Sequence, residues 1–200
     1  MDELSIRNLS ELDDRYLEQT VRLFIDGFLQ EMLDRTQIEV PVLVEALKQS
    51  FLRDHYYVGL LDDKVVGILA VSTDDGRSHA LDKTKLRREL GLIKGGLIYA
   101  ILYKELQRPM DMPRNQCYIE SVTTDASARG KGVASKLLHY LFDTLPYDEF
   151  VLEVVDSNVK AIKLYDRLGF VLFKRKKADL FTRMGGIRER LYMKKIVVKS

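Results

Sequence analysis

The first third of the chain alternates between two hydrophobic periodicities. Helical stretches place an apolar residue every three or four positions, and strand-like stretches are short, β-branched apolar runs. Asp62, Asp63 and Lys64 separate two of these runs, which predicts an antiparallel hairpin with a short polar loop. The predicted elements are a strand over residues 4–8, helices over 17–28 and 41–51, and strands over 57–61 and 65–72.

A long segment, residues 76–112, separates this hairpin from the next predicted strand. Its leucines and isoleucines fall at helical spacing, and Gly91, Gly95 and Gly96 are expected to interrupt the helix because glycine is a poor helix former. Cationic residues precede an apolar stretch over 97–103. The segment is predicted to be a helical insert between the third and fourth strands, which could cover a binding site, form a dimer surface or rest on a membrane interface.

The second half of the chain alternates strands with helices. The predicted elements are strands over residues 116–124 and 150–155, a helix beginning near Val133, a helix over 158–168 stopped by Gly169, and strands over 170–174 and 190–198. No repeat or linker interrupts the pattern. We therefore expect one α/β domain over residues 1–200, in which a mixed twisted sheet (an α+β mixed sheet) is flanked by helices.

Composition narrows the class of protein. The 200 residues are 46% hydrophobic and 31% charged, which is typical of a globular domain and excludes disordered and low-complexity classes. The net charge of +2 gives no global attraction to nucleic acid. A single cysteine, Cys117, suits a reducing compartment, and no apolar run approaches the ~20 residues of a membrane span. We expect a cytoplasmic protein without a signal peptide or an integral membrane segment.

One loop has the features of a phosphate-binding turn. It leads from a strand into a helix, whose first turn presents unpaired N–H groups and the positive end of the dipole. Gly130 and Gly132 allow close approach of a ligand, and Arg129 and Lys131 add positive charge. The loop matches neither a Walker loop nor a dinucleotide fingerprint. The alternative is that the glycines only begin a helix.

Two motifs resemble those of one superfamily. The run Arg129-Gly130-Lys131-Gly132-Val133-Ala134 resembles the Arg/Gln-x-x-Gly-x-Gly/Ala signature of GNAT-type N-acetyltransferases. Downstream, Leu152-Glu153-Val154-Val155-Asp156-Ser157-Asn158, followed by Tyr165 and Leu168-Gly169-Phe170, looks like the second motif of that superfamily. The resemblance implies the GNAT acyl-CoA N-acyltransferase fold. In that fold two parallel strands, here ending near residues 124 and 155, splay apart to admit the pantetheine arm of coenzyme A.

The resemblance also implies a set of cofactor contacts. The backbone of Val122 would stabilise the oxyanion, and Tyr165 would donate a proton to the departing thiolate. Core packing is the structural alternative for this tyrosine. The implied cofactor-binding residues are Val122, Thr123, Thr124, Arg129, Gly130, Lys131, Gly132, Val133, Ala134, Ser135, Asn158 and Tyr165.

Two glutamates are candidate catalytic bases. By strand periodicity Glu153 shares a face with Val151 and Val155, and Glu120 is expected to share a face with Tyr118 and Val122. A carboxylate inside an apolar strand is unusual and could take the proton of an amine. For either residue the alternative is a salt bridge with an arginine. Cys117 is expected to be a buried structural thiol.

The basic run over residues 174–177, together with Arg183, Arg188 and Arg190, gives the C-terminal quarter a positive bias. We expect the run to be a solvated loop, with contact to an acidic partner or to the 3′-phosphate of coenzyme A as alternatives.

These observations predict a cytoplasmic N-acetyltransferase that moves an acetyl group from acetyl-CoA to a primary amine by direct transfer in a ternary complex. The acceptor is a small molecule or a peptide, and a homodimer is a further expectation left open. No metal is expected because the three histidines are scattered, and no nucleic acid is expected because the net charge is close to zero. The competing hypotheses are transfer of a longer acyl group and a noncatalytic acyl-CoA-binding sensor or interaction module.

Overall fold

The computed structural model describes residues 4–178 and 187–198. Within these ranges the chain forms seven β-strands and seven α-helices. In chain order they are β1 (Ser5–Asn8), α1 (Asp14–Phe28), α2 (Gln30–Thr36), α3 (Val40–Leu47), β2 (Tyr56–Leu61), β3 (Lys64–Ser72), α4 (Lys83–Leu90), α5 (Leu92–Leu102), β4 (Gln116–Thr124), α6 (Val133–Thr144), β5 (Glu149–Val155), α7 (Val159–Arg167), β6 (Val171–Lys177) and β7 (Glu189–Ile196).

All seven strands join in one sheet in the order β1-β2-β3-β4-β5-β7-β6. Strands β4 and β5 are parallel, and the other neighbours are antiparallel. Each face of the sheet carries its own apolar core. The front face, with Tyr56 and Ile68, packs against α1 and α3–α5, and the back face, with Ile119 and Leu152, packs against α6 and α7. The predicted mixed α/β sheet is confirmed.

The insert between β3 and β4 is helical, as predicted, but its glycines act differently from the prediction. Only Gly91, with φ of +85°, separates α4 from α5. Gly95 and Gly96 lie inside α5, so the prediction that they interrupt the helix is wrong. A Cβ on Gly95 would lie 2.3 Å from the carbonyl oxygen of Leu86, which shows that α4 and α5 cross at close range.

The outer face of α5 is apolar and exposed. Ile93 is 87% exposed, and Leu92, Leu97 and Ile101 are also exposed. None of the helices in the described part of the chain is long and apolar enough to cross a membrane.

The basic run near the C-terminus is a strand. Residues Lys174 to Lys177 belong to β6, the exposed edge strand that pairs with β7, so the predicted loop is wrong. Charged side chains suit an edge strand because they oppose pairing with another chain. Arg183 lies outside the described residues. Helix α2 was not predicted, because its seven residues bury only Leu33.

Candidate active site

A gap opens between the parallel strands at the centre of the sheet. Pairing of β4 with β5 ends at Ile119 and Leu152, although β4 continues to Thr124 and β5 to Val155. At this point β4 contains one extra residue relative to β3, and Ser121 has a φ of +57°. A β-bulge of this kind bends the strand locally. Residues 120–124 of β4 therefore present backbone groups without partners on β5 towards the gap.

The bulge also changes which side chains share a face. Glu120 lies opposite Ala70 on the front face, and Thr123 lies opposite Ile68 on the same face. Val122 packs instead against the core of the back face. The prediction that Glu120 and Val122 share a face is therefore wrong, because the inserted residue reverses the alternation.

The side chain of Thr123 is taken up by packing against α1. A Cβ on Gly27 would lie 2.7 Å from the Thr123 hydroxyl oxygen, so the helix can approach β4 this closely only with glycine there. Thr123 is thus available to a ligand through its backbone.

The glycine loop after β4 leads directly into α6. Gly130 and Gly132 have φ of +78° and +79°, in the region that glycine favours. A Cβ at either position would meet no atom within 4 Å, so the space beside the loop is open. Arg129 Nε donates to the carbonyl oxygen of Thr124 at 3.3 Å and thereby ties the loop to the end of β4.

The N-terminus of α6 is free to bind an anion. Gly132 is its N-cap residue, and among the described residues no side chain caps this helix. The first-turn N–H groups of Val133, Ala134 and Ser135 therefore face the open space, where the helix dipole and the charge of Lys131 add positive potential. These features fit the pyrophosphate of coenzyme A.

Asn158 is held at the end of β5 by a hydrogen bond from its N–H to the carbonyl oxygen of Val155, and Tyr165 lies within the helix α7 that follows. Asn158 is the N-cap residue, and its Oδ1 accepts from the Ala161 N–H at 3.1 Å, which leaves its Nδ2 amide as a donor. Tyr165 is 6% exposed and shares the back core with Val122 and Val154 from the strands that part. Burial raises the pKa of the Tyr165 hydroxyl to about 12.

Glu120 is held by a dense set of donors. Arg77 Nη2 lies 2.6 Å from Oε2, and the hydroxyls of Ser72 and Ser78 donate to Oε1 at 2.5 and 2.6 Å. The side chains of Glu120 and Arg77 are only 9% and 8% exposed. Arg77 also donates to the carbonyl oxygens of Glu105 and Arg108, both at 2.8 Å, and so fastens the end of the insert to β4.

Glu153 is paired more loosely. Arg190 Nη1 donates to Oε1 of Glu153 at 2.6 Å and reaches Glu105 at 3.1 Å. The side chains of Glu153 and Arg190 are 19% and 24% exposed. Burial, together with the hydrogen bond and charge of Glu153, raises the pKa of Tyr192 on β7. Glu153 thus faces a polar surface that solvent can reach.

Sequence reasoning found both glutamates and left their partners unidentified. Arg77 and Arg190 lie 43 and 37 positions from the carboxylates they bind. The signal in the sequence was limited to the rule that a carboxylate in an apolar strand needs a cation. Both glutamates make the arginine salt bridge that the sequence left open as an alternative. Cys117 is buried, and burial, with a smaller effect of the Glu120 charge, raises the pKa of its thiol to about 12.

Comparisons with known proteins agree with this geometry. The model of the acetyltransferase (GNAT) family matches residues 17–170. No curated protein matches significantly.

Three solved structures illustrate the likeness in fold. An N-acetyltransferase from Staphylococcus aureus Mu50 is 17% identical, with a TM-score of 0.58 over 96% of this chain and 100% of that one. Ard1 from Thermoplasma volcanium is 16% identical, with a TM-score of 0.60 over 98% and 99% of the two chains. The ribosomal-protein-S18-alanine N-acetyltransferase from Escherichia coli is 13% identical, with a TM-score of 0.54 over 99% and 96%. At these identities the likeness establishes the shared fold alone.

Proposed function

Because the chain belongs to the acetyltransferase (GNAT) family, we propose that it moves an acetyl group from acetyl-CoA to a primary amine of a small molecule or peptide by direct transfer in a ternary complex. The observation that carries this proposal is the placement of the glycine loop. Strand β4 separates from its parallel neighbour β5 and is followed by the glycine loop and the N-terminus of α6, which no described side chain caps. The space beside the two positive-φ glycines of this loop is open. A pyrophosphate and an extended thioester arm need these two features side by side.

The chain's own groups would bind the cofactor as follows. The first-turn amides of α6, with Arg129 and Lys131, would hold the pyrophosphate. The backbone of Val122 and Thr124, which has no partner on β5, would pair with the pantetheine arm as an additional strand would. The Nδ2 amide of Asn158 is a further donor at the start of α7.

Acetyl transfer requires two proton movements. The amine nitrogen attacks the thioester carbonyl carbon, the carbon–sulfur bond breaks, the amine loses a proton and the thiolate gains one. Tyr165, whose pKa is raised to about 12, remains protonated at neutral pH and would supply the proton to the sulfur. The Val122 N–H would stabilise the oxyanion that forms between attack and departure.

Glu153 is the better candidate for the base. Both oxygens of Glu120 are occupied by Arg77 and two serine hydroxyls, and its side chain is nearly inaccessible. Glu153 is twice as exposed, 19% against 9%, and lies where an acceptor can approach from the front face. We therefore assign proton removal to Glu153, directly or through a water molecule, and a structural function to Glu120.

Thermal unfolding with and without acetyl-CoA tests cofactor binding. Ligand at a hundred times its dissociation constant stabilises the folded state by about 2.7 kcal/mol, which for a chain of this length raises Tm by roughly 5 to 10 °C. Gly132→Glu should abolish the shift by filling the open space at the loop. The control is Gly91→Glu, which adds the same side chain at another positive-φ glycine with open space around it. Its shift should be preserved.

The outcomes separate the competing functions. If neither acetyl-CoA nor free coenzyme A raises the Tm of the native chain, the proposal is overturned and the glycine loop only begins a helix. A shift without acetylation of any amine would favour the noncatalytic acyl-CoA sensor. In the proposed enzyme Tyr165→Phe should keep the shift and lower kcat on the order of a hundredfold.

A further inference from the structure

Helices α1 and α3–α5 cover only part of the front face of the sheet. They pack on the half formed by β2, β3 and β4, whereas the half formed by β5, β7 and β6 carries both charged and apolar side chains. The end of the insert reaches this half where Glu105 pairs with Arg190. Directly opposed residues of paired strands point to the same face. Across this half Glu153 lies opposite Tyr192, which lies opposite Lys174. These three residues form a row that runs from the gap to the edge of the sheet.

A second row of residues lies beside the first. Val155 lies opposite Arg190, which lies opposite Lys176. Lys174 places its ammonium group 5.4 Å from the centre of the Tyr192 ring. Lys174 and Lys176 are exposed, and neither forms an ion pair with a described residue. On the opposite face of the same strand, by contrast, Arg175 pairs with Glu189 at 2.9 Å.

The carboxylates on this surface pair with cations other than Lys174 and Lys176. Glu153 and Glu105 share Arg190, and Glu149 pairs with Lys194 at 3.1 Å. Arg190 balances only one of its two carboxylates, so the four cations Arg190, Lys194, Lys174 and Lys176 exceed the three carboxylates by one charge, and the excess lies at Lys174 and Lys176. Such a surface repels polyamines and lysine-rich peptides and attracts acceptors that carry carboxylates.

The spacing indicates how far the carboxylates lie from the reacting amine. Neighbouring strands are about 4.8 Å apart, so Lys174, two strands away, is about 10 Å from Glu153. An extended peptide rises about 3.3 Å per residue, so three residues span this distance. A peptide with its amine at Glu153 would bring its second to fourth side chains to Lys174 and Lys176.

We propose that the acceptor is the N-terminal amine of a peptide with aspartate or glutamate among its second to fourth residues, and that Lys174 and Lys176 bind these carboxylates. This inference rests on the proposed acetyl transfer and specifies its substrate class. The ring of Tyr192 makes a cation–π contact with Lys174 and lies between Lys174 and Glu153. Lys174 and Lys176 are therefore specificity-determining residues and take no part in proton transfer.

The test compares acetylation of three peptides that share a length and an N-terminal residue. One carries acidic residues at positions two to four, one the corresponding amides, and one lysines. With the native chain we expect kcat/KM to be roughly tenfold higher for the acidic peptide than for its amide counterpart, and lowest for the lysine peptide. The preference should weaken as salt is added.

A pair of double variants locates the effect on one face. Lys174→Gln with Lys176→Gln should remove the preference for the acidic peptide and leave the rate with the amide peptide unchanged. Arg175→Gln with Lys177→Gln removes the same charge from the same strand on the opposite face and should keep the preference.

Binding of fluorescently labelled peptides to the protein with coenzyme A gives a second readout that needs no turnover. Equal acetylation or equal binding of acidic and amide peptides by the native chain would overturn the inference while the proposed acetyl transfer stands. Acetylation of small amines alone would overturn it as well. Absence of acetylation together with no stabilisation by acetyl-CoA would instead contradict the proposed function.

Discussion

Glu120 and Glu153 occupy corresponding places on the two strands that part, yet their surroundings differ. Glu120 sits with Arg77 in a buried network that includes two serine hydroxyls and the end of the insert. Glu153 shares Arg190 with Glu105 at the border of an open surface. A carboxylate that supports a buried arginine stabilises the fold, whereas one at an accessible border can exchange protons with a substrate.

Substitution of each glutamate by glutamine should separate these two functions. Glu120→Gln leaves the buried Arg77 without its counter-charge and should lower the free energy of unfolding by about 3 kcal/mol. Glu153→Gln should cost at most about 1 kcal/mol of stability, because its pair is partly exposed, and should lower kcat on the order of a hundredfold. Urea unfolding and steady-state acetylation measure the two effects.

Two results would contradict this assignment. Equal losses of stability in both variants would show that Glu153 is as structural as Glu120. A normal kcat in Glu153→Gln, with activity lost in a folded Glu120→Gln protein, would make Glu120 the base.

At the residue scale, sequence patterns found the candidate groups better than their contacts. The alternation of β5 placed Glu153 correctly on a face with Val151, because β5 is regular where it pairs with β7. The same reasoning failed on β4, where the extra residue at Ser121 moves Val122 to the opposite face. A bulge has no strong local signature when its residue is not glycine, so it follows from the pairing of β3 with β4 rather than from the sequence of β4 alone.

The helices of the insert show how one residue type can have opposite structural meanings. Gly91 ends α4 with a backbone conformation that other residues avoid. Gly95 lies within α5 and lets its backbone approach that of α4. Gly96 faces the flexible side chain of Arg87. From the sequence all three predict a break, because helix propensity is a local quantity and the crossing of α4 with α5 is not.

Alanine substitutions should distinguish the two helical glycines. Gly95→Ala would place a methyl group 2.3 Å from the Leu86 carbonyl oxygen, so we expect a loss of about 1 to 3 kcal/mol in the free energy of unfolding. Gly96→Ala would bring its methyl group 3.2 Å from the Arg87 side chain, which can move. Since alanine is the better helix former by about 1 kcal/mol, this variant should be neutral or stabilised.

Chemical denaturation of the two variants beside the native chain checks this contrast. Similar behaviour of Gly95→Ala and Gly96→Ala would show that the close helix crossing contributes little to stability.

Most elements followed from periodicity alone. The bounds of β4 are those that were predicted, and the β2–β3 hairpin matches within one residue at each end. Two elements differ from the sequence prediction for physical reasons. Helix α2 is too short and polar to show an apolar face, and β6 is an edge strand whose charged residues face solvent on both sides. An edge strand needs only one neighbour, so its sequence can resemble that of a loop.

At the scale of the whole molecule, one sheet connects both apolar cores. The front core contains residues of the insert, such as Leu86 and Ile98, together with residues of α1 and β3. Arg77 adds buried hydrogen bonds between the insert and β4, and Arg190 joins the insert to β5. Loss of either core would expose one face of the strands that support the other, so the described elements depend on one another.

This dependence predicts that the chain unfolds as one cooperative unit, with the insert included. Circular dichroism and tyrosine fluorescence should give coincident urea transitions, and the calorimetric and van't Hoff enthalpies should agree. The 10 tyrosines and the absence of tryptophan make tyrosine the natural probe. Amide exchange in α5 offers a local check, because protection at Ile98 should match the global free energy of unfolding. If exchange at Ile98 occurs through an opening whose free energy is several kcal/mol below that of global unfolding, α4 and α5 detach independently of the sheet.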